Sequence, residues 1–122
     1  MTIPAGDKVT VLIVEDDPLL LLNAIDFLED AGFRTLTAVN ADAAIRLLEA
    51  RNDICIVFTD VDMPGTMNGV KLAAAVRDRW PPVAIVVTSG IVTSPDLPKG
   101  SRFFAKPFEP QRVVDAMMEM IV

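Results

Sequence analysis

Apolar residues gather in short runs along the chain, and the spacing inside each run separates two kinds of element. Val9 to Val14, Ile54 to Thr59 and Val83 to Thr88 are nearly continuous, rich in β-branched side chains and of strand length. Strands apolar on both faces belong in a sheet that helices cover from two sides, the pattern of parallel sheets. Phe103 to Ala105 is a shorter run of the same kind, and Thr35 to Val39 a weaker one. Between these runs the period becomes helical. Pro18 to Ala31 has Asp17 placed to cap it, Pro at its first position and Gly32 to stop it. Asn40 is placed to cap Ala41 to Ala50, and Asn68 to cap Gly69 to Trp80, which Pro81 and Pro82 end. Pro110 to Met120 sets Val113, Val114, Met117 and Met118 on one face, so the methionine pair is expected in the core or at a partner surface. Strands alternating with helices of this length predict an α/β domain.

Composition narrows what such a domain can do. A chain of 122 residues with no internal repeat, linker or low-complexity tract is expected to form one domain over residues 1–122. No apolar run approaches the roughly 20 residues of a membrane span. The start, MTIPAGDKVT, lacks the basic end and apolar stretch of a leader. A cytoplasmic protein without membrane contact is therefore expected. The net charge of −6, with Lys and Arg scattered, argues against nucleic acid as a partner. The single cysteine, Cys55, has no internal disulfide partner and falls inside an apolar run, so it is expected to be inert core. The count of zero histidines excludes a phosphohistidine on this chain and any His base or metal ligand. A metal site here must use oxygen ligands, which suits a hard cation such as Mg²⁺.

Polar chemistry falls at the carboxyl ends of the predicted strands. The first ends in Glu15, Asp16 and Asp17, the third in Asp60 followed by Asp62, the fourth in Thr88 and Ser89, and the fifth in Lys106. In open α/β sheets the binding crevice lies outside those ends. Two unit charges about 4 Å apart cost on the order of 4 kcal/mol at an effective dielectric near 20, so clustered carboxylates call for a cation. Each residue also has a plain alternative: Asp17 as a helix cap, Thr88 as a strand-end hydroxyl bonded to backbone, Lys106 as a solvated surface lysine, Glu15 and Asp16 as a turn. Four strand ends agreeing at once favour a site. A nucleophilic carboxylate, a metal, an ammonium and a hydroxyl are the parts that phosphoryl transfer to an aspartate needs.

The motifs VLIVEDDP, FTDVDMPGTMNG, VVTSG and FFAKPF, in that order, resemble the receiver domain of two-component response regulators over nearly the whole chain. The resemblance implies a flavodoxin-like, doubly wound sheet of five parallel strands in the order 2-1-3-4-5. It makes Asp60 the phospho-acceptor. Glu15, Asp16 and Asp60, with the backbone carbonyl of Asp62, would hold Mg²⁺. Thr88 would follow the phosphoryl group, Lys106 would bind one of its oxygens, and Phe103 would report the movement. Lys106–Pro107 would be a cis peptide. The donor would be a sensor histidine kinase or a histidine phosphotransfer protein, the output a conformational change acting on a downstream protein, and the chain no enzyme beyond its own phosphorylation and dephosphorylation.

Two departures from the family pattern stand out. Asp62 adds a carboxylate two residues after the acceptor, either raising metal affinity or impeding an anionic donor. The stretch Gly90 to Ser101 is short; Pro95 can stand first inside a turn, but Pro98 and Gly100 forbid its continuation, since proline inside a helix costs about 3 kcal/mol. A loop, or a single turn capped by Ser94, is expected to replace the family's fourth helix as a mobile switching element. Gly90, two residues after Thr88, leaves the site open and points to a short phosphoryl lifetime. A rival function, an aspartate-nucleophile phosphohydrolase, finds its DxD signature in Asp60-Val61-Asp62. It is disfavoured by Pro64 and by a nucleophile placed mid-chain after the acidic pair. A degenerate receiver acting only as an interaction module would lack the acceptor, the lysine or the acidic pair, and all are present. No output domain is expected on the chain as given, which is expected to be a free-standing regulator or a receiver excised from a larger regulator or hybrid kinase.

Overall fold

A computed structural model describes residues 9–63, 65 and 67–121. The segment read as lacking a leader and Pro64, used above against a hydrolase, lie outside the described residues. Five parallel strands form one sheet: β1 (Thr10–Val14), β2 (Arg34–Ala38), β3 (Ile54–Asp60), β4 (Ala84–Ser89) and β5 (Arg102–Ala105), in the order β2-β1-β3-β4-β5. The helices are α1 (Pro18–Asp30), α2 (Ala41–Ala50), α3 (Gly69–Arg79) and α4 (Pro110–Met120). This is the expected flavodoxin-like arrangement.

Local chemistry sets the helix ends. The Asp17 carboxylate accepts from Leu19 N–H at 2.9 Å and Leu20 N–H at 3.3 Å, Asn40 Oδ1 from Ala43 N–H at 2.8 Å, and Asn68 Oδ1 from Lys71 N–H at 3.0 Å. Each satisfies an amide that the first turn leaves without an internal partner. Gly32, at φ 101°, ends α1 in the left-handed region that a side chain disfavours.

Strand alternation divides the core into two layers. Leu12, Val14, Val57, Ile85 and Val87 face α2 and α3, while Val11, Ile13, Ile56, Phe58 and Val86 face α1 and α4. Val113, Val114, Met117 and Met118 of α4 are buried in the second layer, as their spacing predicts. The register explains one correction. Thr10 pairs with Ile54 but Val11 with Ile56, so Cys55 is an extra residue in β3. A bulge of this kind leaves its extra residue unpaired and resets the alternation. Cys55 is exposed, not core.

No helix forms between β4 and β5. The single turn offered by Ser94 and Pro95 is absent, and the segment instead closes in a turn in which Ser101 N–H donates to Pro98 O at 3.1 Å, with Gly100 at φ 90°. Val92 and Leu97 from this loop, with Phe103 of β5, pack against the α2–α3 layer. Two loop side chains thus pack there, beside Phe103, where a helix was ruled out by Pro98 and Gly100.

Candidate functional site

The carboxyl ends of β1, β3, β4 and β5 converge as expected. Asp60 is the last residue of β3 and lies opposite Thr88 in the β3–β4 register. Both are buried, at 6% and 3% exposure, so their polar groups work in a poorly solvated setting. Glu15 follows β1, is buried too, and is held by its N–H donating to Ala38 O of β2 at 3.0 Å. Lys106 follows β5, its N–H donating to Ser89 O at 2.8 Å, and Lys106–Pro107 is cis.

These anchors set the charged groups against each other. Lys106 Nζ donates to Asp60 Oδ2 at 3.0 Å and lies 3.6 Å from Glu15 Oε1. Glu15, Asp16 and Asp60 each bring a carboxylate oxygen within 4.8 Å of the others. Burial pushes the Glu15 carboxyl above its ordinary value. The Asp17 N–H and the Lys106 charge oppose that rise, while the nearby Asp60 and Asp16 add to it. Burial works to lower the Lys106 ammonium, but its hydrogen bond to Asp60 and the Asp60 and Glu15 charges outweigh burial and hold it above lysine's usual value. Lys106 is therefore a firm cation. An all-oxygen trio whose buried member, Glu15, resists ionisation fits a hard divalent cation such as Mg²⁺.

The sequence brought these residues to one place but left the effect of Asp62 open. The carboxylate of Asp62 turns away from the acidic trio and accepts from Ser89 Oγ–H at 2.8 Å, while its N–H donates to Asp60 Oδ1 at 3.3 Å. Phe103 lies half-buried on the α2–α3 side beside Val92 and Leu97. Two further residues matter to which the sequence assigned no role at the site. Ser89, 1% exposed, joins Asp62 to the loop. Gly69 opens α3 against the backbone of Asp60 and Val61: a Cβ there would overlap Asp60 O and stand 2.8 Å from Val61 Cα. Asn68-Gly69 is visible as a helix start, but close approach to β3 is a tertiary fact.

On the α1–α4 side the site opens into a cavity of about 370 Å³ lined by Leu20, Asn23, Ala24, Phe27, Phe58 and Phe108, with Glu15, Thr88 and Lys106 among the residues that bound it. Phe27, Phe58 and Phe108 meet edge to face, with ring centroids 6.1 to 6.3 Å apart. Leu19, Leu20 and Leu22 of α1 are exposed.

Comparison with known proteins agrees with this geometry. A family model of the response regulator receiver domain matches residues 11–118. The chain is 31% identical over 122 residues to the hydrogenase transcriptional regulatory protein HoxA of Cupriavidus necator, covering 95% of this chain and 25% of that protein. It is 34% identical over 110 residues to the response regulator protein FleR of Pseudomonas aeruginosa, covering 86% and 23%. The chain thus spans about a quarter of the length of these curated relatives. Among solved structures, a response regulator receiver protein from Sinorhizobium medicae WSM419 superimposes with a TM-score of 0.86 at 28% identity, covering 95% of this chain and 96% of that one.

Proposed function

The chain belongs to the response regulator receiver domain family of two-component signalling, and on that premise we propose that it is a phosphorylation-dependent switch with Asp60 as acceptor. Receiver domains are signalling modules, not conventional enzymes. The observation that carries the proposal is the contact of Lys106 Nζ with Asp60 Oδ2 at 3.0 Å beside the Glu15, Asp16 and Asp60 carboxylates.

The chain has no histidine, so the phosphoryl group comes from another molecule: a sensor histidine kinase or a histidine phosphotransfer protein. An Asp60 oxygen attacks phosphorus, the P–N bond of the donor breaks, and an acyl phosphate forms. Lys106 holds an oxygen of the transferred group in place of the carboxylate oxygen it holds at rest. Thr88, buried and opposite Asp60, offers its hydroxyl to another and moves toward it, and Phe103 follows that movement. Glu15, Asp16, Asp60 and the Asp62 carbonyl would hold Mg²⁺, which when bound offsets negative charge on the phosphoryl oxygens. Residues 1–122 act as one receiver domain in the cytoplasm, and a downstream protein reads the change of conformation. The exposed leucines of α1 beside the cavity give a donor protein an apolar surface next to the acceptor.

The phosphohydrolase alternative needs the second aspartate of its signature as acid and base at the acceptor. The Asp62 carboxylate is instead bonded to Ser89, which speaks against it.

Incubation with acetyl phosphate, with and without Mg²⁺, followed by intact mass, tests the proposal. The expected result is one added phosphoryl group that requires Mg²⁺ and is missing in Asp60→Asn. Labelling that persists in Asp60→Asn, or steady turnover of a phosphate ester, would overturn it.

A further inference from the structure

The resting acceptor is joined to the loop between β4 and β5 by an unbroken hydrogen-bonded path that does not pass through Thr88 or Phe103. Asp62 N–H donates to Asp60 Oδ1 at 3.3 Å. Ser89 Oγ–H donates to Asp62 Oδ2 at 2.8 Å. Ser89 Oγ accepts in turn from Ile91 N–H at 3.1 Å and Val92 N–H at 2.9 Å. A hydroxyl has one proton to give and two lone pairs to receive with. All three are used here, so the proton has one place to go. A carboxylate only accepts, and Asp62 fixes the hydroxyl in the orientation that leaves both lone pairs facing the loop amides. Among the described residues, Ser89 is where the amides of this loop's opening turn are tied down. The Ser89 backbone is itself held, its carbonyl accepting from Lys106 N–H at 2.8 Å.

We propose that Asp62 is a positioning residue that latches the opening turn of loop 90–101 through Ser89, and that phosphorylation of Asp60 releases the latch. The release rests on the function proposed above. The latch itself does not. A phosphorylated side chain carries about −1.5 to −2 charges near neutral pH, and Asp62, whose N–H already holds an Asp60 oxygen at 3.3 Å, carries a carboxylate of its own beside that added charge. Turning the Asp62 carboxylate outward relieves the repulsion and removes the acceptor of the Ser89 proton. The hydroxyl then rotates, and the Ile91 and Val92 amides lose their fixed partner. The loop occupies the place of a helix and carries Ile91, 78% exposed, at the released turn. Its release changes the surface beside the acceptor.

Hydrogen exchange at the Ile91 and Val92 amides of the full chain tests the latch without any phosphoryl group. Ser89→Ala and Asp62→Ala are each expected to speed exchange at these two amides about tenfold, the effect of one lost hydrogen bond. Asp62→Asn is expected to keep them near wild type, because its amide oxygen accepts the same hydroxyl. Unchanged exchange in Asp62→Ala, or an Asn variant that behaves like Ala, would overturn the latch. Beryllium fluoride with Mg²⁺, its occupancy read by fluorine NMR, tests the release. With the mimic bound, exchange at the two amides rises in the wild type and gains nothing further in Asp62→Ala. Bound mimic with unchanged exchange refutes the release. A mimic that does not bind Asp60 counts against the acceptor assignment, and the three variants still decide the latch.

Discussion

Replacing Gly69 with alanine is a sharp test of how the backbone at Asp60 is held. Gly69 is buried at the first position of α3, and its N–H donates to Val61 O at 3.0 Å. An added Cβ would overlap Asp60 O and stand 2.8 Å from both Asp60 C and Val61 Cα. These are backbone atoms at the end of a central strand, and Val61 is pinned by its own N–H to Thr88 O at 2.8 Å. They cannot yield as the tip of a flexible side chain can, so α3 must back away. Overpacking of this kind costs about 1–3 kcal/mol, and stretching the Gly69–Val61 hydrogen bond costs about 1 kcal/mol more. The better helix propensity of alanine returns up to about 1 kcal/mol. The net expectation is a loss of about 1–3 kcal/mol. Urea unfolding followed by circular dichroism should show the midpoint falling by about 1 M, taking a slope of 1–3 kcal/mol/M for small domains. Labelling of Asp60 by acetyl phosphate should slow as well, because the Gly69 N–H that holds Val61, the residue after Asp60, withdraws with α3. Gly90→Ala is the control. Its Cβ would meet Lys106 Cβ and Cδ at 3.8 and 3.9 Å, ordinary contact, and stability should stay within about 0.5 kcal/mol. A Gly69→Ala protein as stable as wild type, or a Gly90→Ala protein equally damaged, would refute the reasoning.

Three other perturbations probe the charges and the exposed thiol. Since the folded protein holds the Glu15 proton above its ordinary value, it binds more protons than the unfolded chain in that window, and stability falls as pH rises through it. Above the window ionised Glu15 is a standing cost, so Glu15→Gln is expected to raise the metal-free Tm at pH 7 by a few degrees and to weaken the Mg²⁺-induced rise; a lower metal-free Tm would contradict this. Lys106→Met leaves Asp60 without its cation. Breaking a buried pair costs about 3–5 kcal/mol, but the Lys106 side chain is 23% exposed, so solvent relief brings the expectation to about 1–3 kcal/mol. Acetyl phosphate labelling should fall at least about tenfold, and Asp60→Asn in the same chain should restore most of the stability, as a double-mutant cycle in urea will show. Cys55, exposed at the β3 bulge, should react fully with a thiol reagent such as dithiobisnitrobenzoate in the folded protein; modification only at the unfolding rate would mean that it is covered.

Which features were legible in the sequence follows from the range of the interactions that create them. Asp17, Asn40 and Asn68 cap their helices through bonds two or three residues away, so residue type and position suffice to place them. Pro98 and Gly100 exclude a helix by backbone chemistry alone, and the helix is missing. The strand-end residues Glu15, Asp60, Thr88 and Lys106 meet because parallel strands align their carboxyl ends, a consequence of topology once the strands are identified. Cys55 was misread because an apolar run does not show where a register slips, and the slip is a property of β1 and β3 together. Asp62 was left open for the same reason. Its proximity to Asp60 in sequence implied an effect on the metal or on an anionic donor, but its carboxylate is satisfied by Ser89, 27 residues away. Local pattern therefore locates Asp60 and the ammonium beside it, whereas the hydrogen-bonded path from Asp60 to the loop depends on which of two nearby partners a carboxylate chooses. A buried hydroxyl with both lone pairs filled is a stronger claim on that carboxylate than a cluster of like charges, and this is why Asp62 faces the loop.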